Sequence, residues 1–164
     1  QAVVFDIDGT LTPKPPAIFA ARDDAAEALR IFADKGYKII YLSARSTLLQ
    51  AGIPNWLKKN GFPEGSIHVP QTALFGDDAT VAFKKGILKR YKDKKWRFVA
   101  AYGDSITDFE AYAHFDVEAG IEKDRIFALK RAGEKECQGD SSMWNDCLCS
   151  WAEHMDKIRQ LVQP

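Results

Sequence analysis

The chain has 164 residues, 46% of them apolar, which is enough for one domain, 1–164, around one core. Lysine plus arginine equals aspartate plus glutamate at 23 each, so there is neither the global basic field of a nucleic-acid binder nor the acidic excess of a disordered tail. No apolar run is long enough to cross a bilayer, and Gln1 sits almost on the first predicted strand, so an upstream segment, including a removed leader, stays open.

Val3-Val4-Phe5 reads as a buried strand running into Asp6-Ile7-Asp8-Gly9-Thr10. Side chains alternate along a strand, so Asp6 and Asp8 share a side, up to the turn that Gly9 permits. Two carboxylates in one cleft repel each other, which implies a divalent metal or a division into acid and base. The proline-rich stretch from Leu11 to Phe19 cannot be regular helix and is expected to form a flap beside the acids. Asp23 or Asp24 is expected to cap a helix with Ala25, Ala28, Leu29 and Phe32 inward, ended by Gly36.

Lys38 to Leu42 is a second predicted strand, ending in Ser43-Ala44-Arg45, where an open α/β sheet places ligand-binding groups. Ser43 can hold an anion or cap the helix that follows; Arg45 can fork onto a phosphate or pair with a surface acid. Ser46 to Asn60 has a helical pattern that must kink or restart at Pro54, with Trp56 and Leu57 inward. A short strand, Ile67-His68-Val69, and a Gly76-Asp77-Asp78 loop follow. The next helix is expected to pack Phe83, Ile87, Leu88 and Tyr91. It carries a basic run from Lys84 to Arg97, either a solvated face or one that meets an anionic surface. Some forty positions separate Ser43 from that helix, too few for a large cap domain.

Phe98 to Tyr102 is another buried strand, and it delivers Gly103-Asp104 with Asp108 four residues on, where hard oxygen ligands suit Mg²⁺. A helix from Phe109 to His114, a strand from Arg125 to Leu129, a loop from Ala132 to Ser150 and a closing helix from Trp151 to Val162 complete the chain. Its three cysteines allow one bridge and a spare thiol. Cys137 to Cys147 or to Cys149 is favoured over a zinc set with His154, which lacks a Cys-x-x-Cys knuckle.

The run Asp6-x-Asp8-Gly9-Thr10, then Ser43, then Lys84 or Lys85, then Gly103-Asp104 with Asp108 resembles the four ordered motifs of the haloacid dehalogenase (HAD) superfamily. Tyr41-Leu42-Ser43-Ala44-Arg45, Gly61-Phe62-Pro63-Glu64-Gly65, Phe83-Lys84 and Arg125-Ile126-Phe127 resemble more narrowly the lipin-type phosphatidate phosphatases, the LNS2 domain. The chain departs from lipins in carrying Asp104 where they usually have Asn. The resemblance implies a three-layer, Rossmann-like α/β domain with a mostly parallel sheet. It implies Asp6 as nucleophile and Asp8 as general acid/base, with Ser43 and Lys84, favoured over Lys85, holding the phosphoryl group. Thr10, Ala44 and Arg45 join those two around the substrate. Mg²⁺ falls to Asp6, the Asp8 carbonyl and Asp104, with Asp108 beside them.

The implied activity is Mg²⁺-dependent phosphomonoester hydrolysis, with phosphatidic acid at a bilayer surface as the favoured substrate. A soluble phosphomonoester, such as a nucleotide or sugar phosphate, is the first alternative. The second is a non-catalytic, phosphatidic-acid-binding LNS2 module that has lost the nucleophile, against which the retention of Asp6 and Asp8 argues. A cytoplasmic or peripheral membrane location is favoured, with export left open by the cysteine-bearing tail.

Overall fold

The computed structural model describes residues 1–163. Six strands, β1 (Ala2–Asp6), β2 (Lys38–Leu42), β3 (Ser66–His68), β4 (Phe98–Gly103), β5 (Ile126–Leu129) and β6 (Asp146–Leu148), form one sheet in the order β3-β2-β1-β4-β5-β6. Every pairing is parallel, so every carboxyl end lies at the same edge. The order reverses direction at β1, and the crevice of a doubly wound sheet opens at that point.

Alternation along β1 sorts the core into two. Val3 and Phe5 pack with α1 (Ala25–Asp34), α2 (Ile53–Lys59) and α5 (Met155–Leu161). Ala2 and Val4 pack with α3 (Asp77–Asp93) and α4 (Ile106–His114). Asp6 continues the second set, so its carboxylate leaves the sheet on the face that α3 and α4 cover. The result is the expected three-layer, Rossmann-like α/β architecture.

Several local expectations change. Asp24 stands at the start of α1 in a left-handed conformation (φ 64°) and makes no capping hydrogen bond with its side chain. Pro54 starts α2 rather than kinking a longer helix, because its missing N–H costs nothing in the first turn. Asp77 and Asp78 are not loop but the first turn of α3. The buried stripe of α3 is Val81, Lys84, Ile87 and Leu88; Phe83 and Tyr91 are only half-buried.

The tail expected to be all loop contains β6, three residues added beside β5. A disulfide joins Cys137 to Cys147 in that strand and leaves Cys149 free. His154 is no metal ligand beside them; it is buried under the sheet, sharing a 2.8 Å hydrogen bond with the Tyr102 hydroxyl. Next to it the buried Trp151 indole lies 6.0 Å from the Phe5 ring and donates to the Thr10 carbonyl at 3.1 Å, so the closing segment holds the loop after β1.

Candidate functional site

Asp6 ends β1 and Asp104 follows the last residue of β4, its neighbour in the sheet. Two glycines let these ends meet. Gly9 has a φ of 83°, and a β-carbon there would overlap the Asp104 carboxylate. A β-carbon on Gly103 would stand 2.5 Å from that of Asp108. Asp6, Asp104 and Asp108 then each offer an oxygen within 4.8 Å of the others, all buried.

Lys84, halfway along α3, enters this cluster as its buried cation. Its Nζ donates to Asp6 Oδ1 at 3.1 Å and to Asp108 Oδ1. Burial works against the ammonium, but Asp108 and Asp6 outweigh it and hold Lys84 above its ordinary range. Burial, reinforced by Asp108, holds Asp6 well above the usual carboxylate range despite Lys84. Burial and Asp108 also push Asp104 up to about 6, against the pull of Arg131. Of the two lysines left open by the sequence, Lys84 reaches the acids.

Both oxygens of Asp108 are engaged within the protein. Oδ1 accepts from Lys84, while Oδ2 accepts from the backbone N–H groups of Asp104 (3.1 Å) and Ser105 (3.2 Å). The carboxylate therefore starts α4 as part of a capping box and aims Lys84.

Asp8 lies apart from the other three acids. Arg45 takes both its oxygens, Nη2 to Oδ1 at 2.7 Å and Nε to Oδ2 at 3.2 Å. Ser43 donates to Oδ2 at 3.2 Å and accepts from the Arg45 backbone N–H at 3.0 Å. Thr10, expected around a substrate, is fully buried and donates to Asp6 Oδ2 at 3.0 Å, bracing that carboxylate. Asp6, Asp8, Ala44, Arg45, Lys84 and Asp104 all line one opening of about 270 Å³.

Two arginines at the site escaped the sequence. Arg131 lines the opening, with Nε 2.6 Å from Asp104 Oδ2. Its place just past β5, at a strand's carboxyl end, was the available signal. Arg22 donates to the carbonyls of Gly9 (2.8 Å), Thr12 (3.0 Å) and Lys130 (2.6 Å), tying the loops after β1 and β5 together.

Hard carboxylate oxygens and a surplus of negative charge fit Mg²⁺. Three acids face a single buried ammonium, with Arg131 at the rim. Asp6 and Asp104 are the side chains that would hold the ion.

The fold is that of known phosphatases. D,D-heptose 1,7-bisphosphate phosphatase from B. bronchiseptica, solved with magnesium and phosphate, superposes with a TM-score of 0.65 at 14% identity, covering 98% of this chain and 99% of that one. A phosphoserine phosphatase in its apo form gives 0.62 at 12% identity, covering 95% and 98%. In sequence, the chain is 27% identical over 163 residues to protein retinal degeneration B of Drosophila melanogaster, covering 94% of this chain and 12% of that protein. It is 31% identical over 153 residues to human membrane-associated phosphatidylinositol transfer protein 1, covering 84% and 11%. The chain thus spans little more than a tenth of either relative. The model of the LNS2 domain of PITM 1-3 matches residues 3–130, and with the strand-end motifs inside that range the chain belongs to the LNS2 family, on a HAD-like phosphatase fold.

Proposed function

We propose that this domain hydrolyses phosphomonoesters through an aspartyl-phosphate, with phosphatidate as substrate. The observation that carries this reading is the meeting of Asp6 with Lys84, Asp104 and Asp108 at the floor of an open cleft. Asp6 attacks phosphorus, the P–O ester bond breaks, and the leaving oxygen takes a proton from Asp8. Water then attacks the acyl phosphate, giving its proton to Asp8 and releasing inorganic phosphate and free Asp6. Lys84 holds the Asp6 carboxylate and the phosphoryl charge together, and Asp108 keeps Lys84 aimed. Bound at Asp6 and Asp104, Mg²⁺ would supply charge neutralisation for the phosphoryl oxygens.

A lipid substrate draws support from the rim. Among the described residues, Phe19, Leu48, Leu49, Phe75, Ile106 and Val117 are the exposed large apolar side chains. All but Val117 lie on segments that follow β1, β2, β3 or β4, at the edge where the acids lie. Phe19, Leu48 and Phe75 are 88%, 91% and 86% exposed. An apolar crown around an anion site suits a bilayer whose phosphate headgroups reach the floor while the crown enters the acyl region. Among the described residues no helix is long and apolar enough to cross a membrane. One of the relatives named above is by its printed name a membrane-associated phosphatidylinositol transfer protein, which supports a membrane location.

One observation favours a second reading, a non-catalytic phosphatidate-binding module. Both oxygens of Asp8 are occupied by Arg45, and Asp8 must leave that fork to reach a leaving group. Phosphate release from phosphatidate vesicles and from soluble esters, in parent and Asp6→Asn proteins with Mg²⁺, separates these. Release from vesicles that Asp6→Asn abolishes supports the lipid phosphatase. Release from soluble esters alone moves the substrate to that class. Vesicle binding without release from either leaves the binding module.

A further inference from the structure

Between the second half of α3 and the β2–β3 edge lies a cavity of about 300 Å³ whose lining contains no acidic residue. Three cations converge on it from two elements, Lys38 at the start of β2 and Arg90 and Lys94 at the end of α3. None of the three is in an ion pair among the described residues, whereas their neighbours Lys89 and Lys92 pair with Asp93 and Asp116. A helix carboxyl terminus attracts cations, which accounts for Arg90 and Lys94 but not for Lys38.

Lys38 is set in place: its Nζ donates to Ser66 Oγ at 2.9 Å and lies 5.6 Å and 6.0 Å from the Trp96 and Tyr91 ring centroids. Its position is therefore ordered before any ligand arrives, which lowers the entropy cost of binding. The wall adds polar groups, since His68 Nε2 and the Tyr91 hydroxyl share a hydrogen bond of 2.5 Å. Burial first, and then the fields of Arg90, Lys38 and Lys94, hold the His68 imidazole below its ordinary range. The cavity shares no lining residue with the acidic cleft, and its cations Arg90 and Lys94 come six and ten residues after Lys84, so the two openings are separate.

We propose that this cavity is a second anion site, which takes a phosphate-bearing ligand between Lys38, Arg90 and Lys94. A tetrahedral dianion accepts from several directions at once and matches cations arriving from a strand and a helix, with the Ser66 hydroxyl beside them. The same chemistry is offered by a free phosphate compound and by a phosphate headgroup.

Pyrophosphate added to the uniformly ¹⁵N-labelled protein is expected to shift the Trp96 indole and the Tyr91 and His68 amides, on a curve separate from that of Ser43 and Gly103. Arg90→Gln with Lys94→Gln, both on an exposed helix surface, should weaken the first curve about tenfold for each cation lost while leaving the second unchanged. Lys38→Gln should do the same from the strand side, with a thermal melt to show that the sheet is intact. Shifts confined to the acidic cleft, or an affinity indifferent to these changes, would overturn the proposal. Cosedimentation with vesicles of equimolar phosphatidylcholine and phosphatidate distinguishes the sources. Loss in the double variant assigns a lipid headgroup, and retention together with the weakened pyrophosphate curve assigns a free phosphate.

Discussion

Arg45 holds Asp8 by both carboxylate oxygens, its planar fork meeting them at 2.7 and 3.2 Å, and Asp8 thereby stands outside the cluster that Asp6, two residues before it, forms with Asp104 and Asp108. Asp8 leaves that fork to work on a leaving group, so Arg45→Ala should free it and raise kcat for a soluble phosphomonoester by about tenfold, the worth of one charge-assisted pair. Arg45→Lys should give a smaller rise, because an ammonium still pairs with Asp8 but cannot make the bidentate contact. Steady-state kinetics check both; a fall in kcat with Arg45→Ala would show that Asp8 works from within the fork.

Lys84 is the buried counter-charge of Asp6 and Asp108. Lys84→Met should destabilise the fold by about 3–5 kcal/mol, since it leaves buried carboxylates without a partner. Asp6→Asn, nearly isosteric, should keep the fold and lose turnover almost completely. Denaturant melts and phosphate release, measured together, separate the structural role from the chemical one.

Mg²⁺ binding should be measurable by calorimetry and should weaken at least about tenfold in Asp104→Ala. Chelation should abolish phosphate release and added Mg²⁺ restore it. Heat of binding unaltered by the substitution would place the ion elsewhere.

His154 gives the fold a pH dependence unconnected with the site. Burial, with a smaller push from Lys157, lowers its imidazole from 6.5 to about 4. In the folded chain it stays neutral where the unfolded chain already takes up a proton, so stability is full above pH 6.5 and falls as the pH drops toward 4. The loss is on the order of 3 kcal/mol. His154→Gln, which keeps a polar partner for Tyr102, should flatten that fall in denaturant melts across the window.

The rim makes a prediction that the basic run does not. Phe19→Ser, Leu48→Ser and Phe75→Ser should each lower binding to phosphatidate vesicles about tenfold or more, since each inserted side chain contributes about 1.5–3 kcal/mol. Hydrolysis of a soluble ester should be unaffected. Lys89 and Lys92, once counted with Lys84 as one basic run, are engaged by Asp93 and Asp116 and lie well down α3 from the cleft.

The sheet and the acids were legible in the sequence because both follow local rules. β1, β2 and β4 are continuous apolar runs, and Asp6, Ser43 and Asp104 are the first polar groups where those runs stop. β6 was not legible: three residues with one buried side chain carry no periodicity, and it pairs as a strand only beside β5. The role of Lys84 over Lys85 depends on helix phase, which Val81 and Leu88 set and which a stripe drawn through Phe83 misses. Arg22 and Arg131 act on groups brought near by the fold, such as the Lys130 carbonyl far along the chain, and no local pattern marks such partners.

The contact between the Trp151 indole and the Thr10 carbonyl bears on where this unit can be divided. The family match stops at residue 130, yet the side chain that fills the space beside Phe5 and Tyr102 comes twenty-one residues later. A protein ended at Leu129 would keep every recognised motif, and with it an open hydrophobic socket beneath the loop that carries Asp8. Such a fragment should aggregate or bind apolar dyes rather than fold. The stretch that the family model matches is thus shorter than the unit that has to fold together, whereas the similarity to protein retinal degeneration B, over 94% of the chain, takes in Trp151 as well.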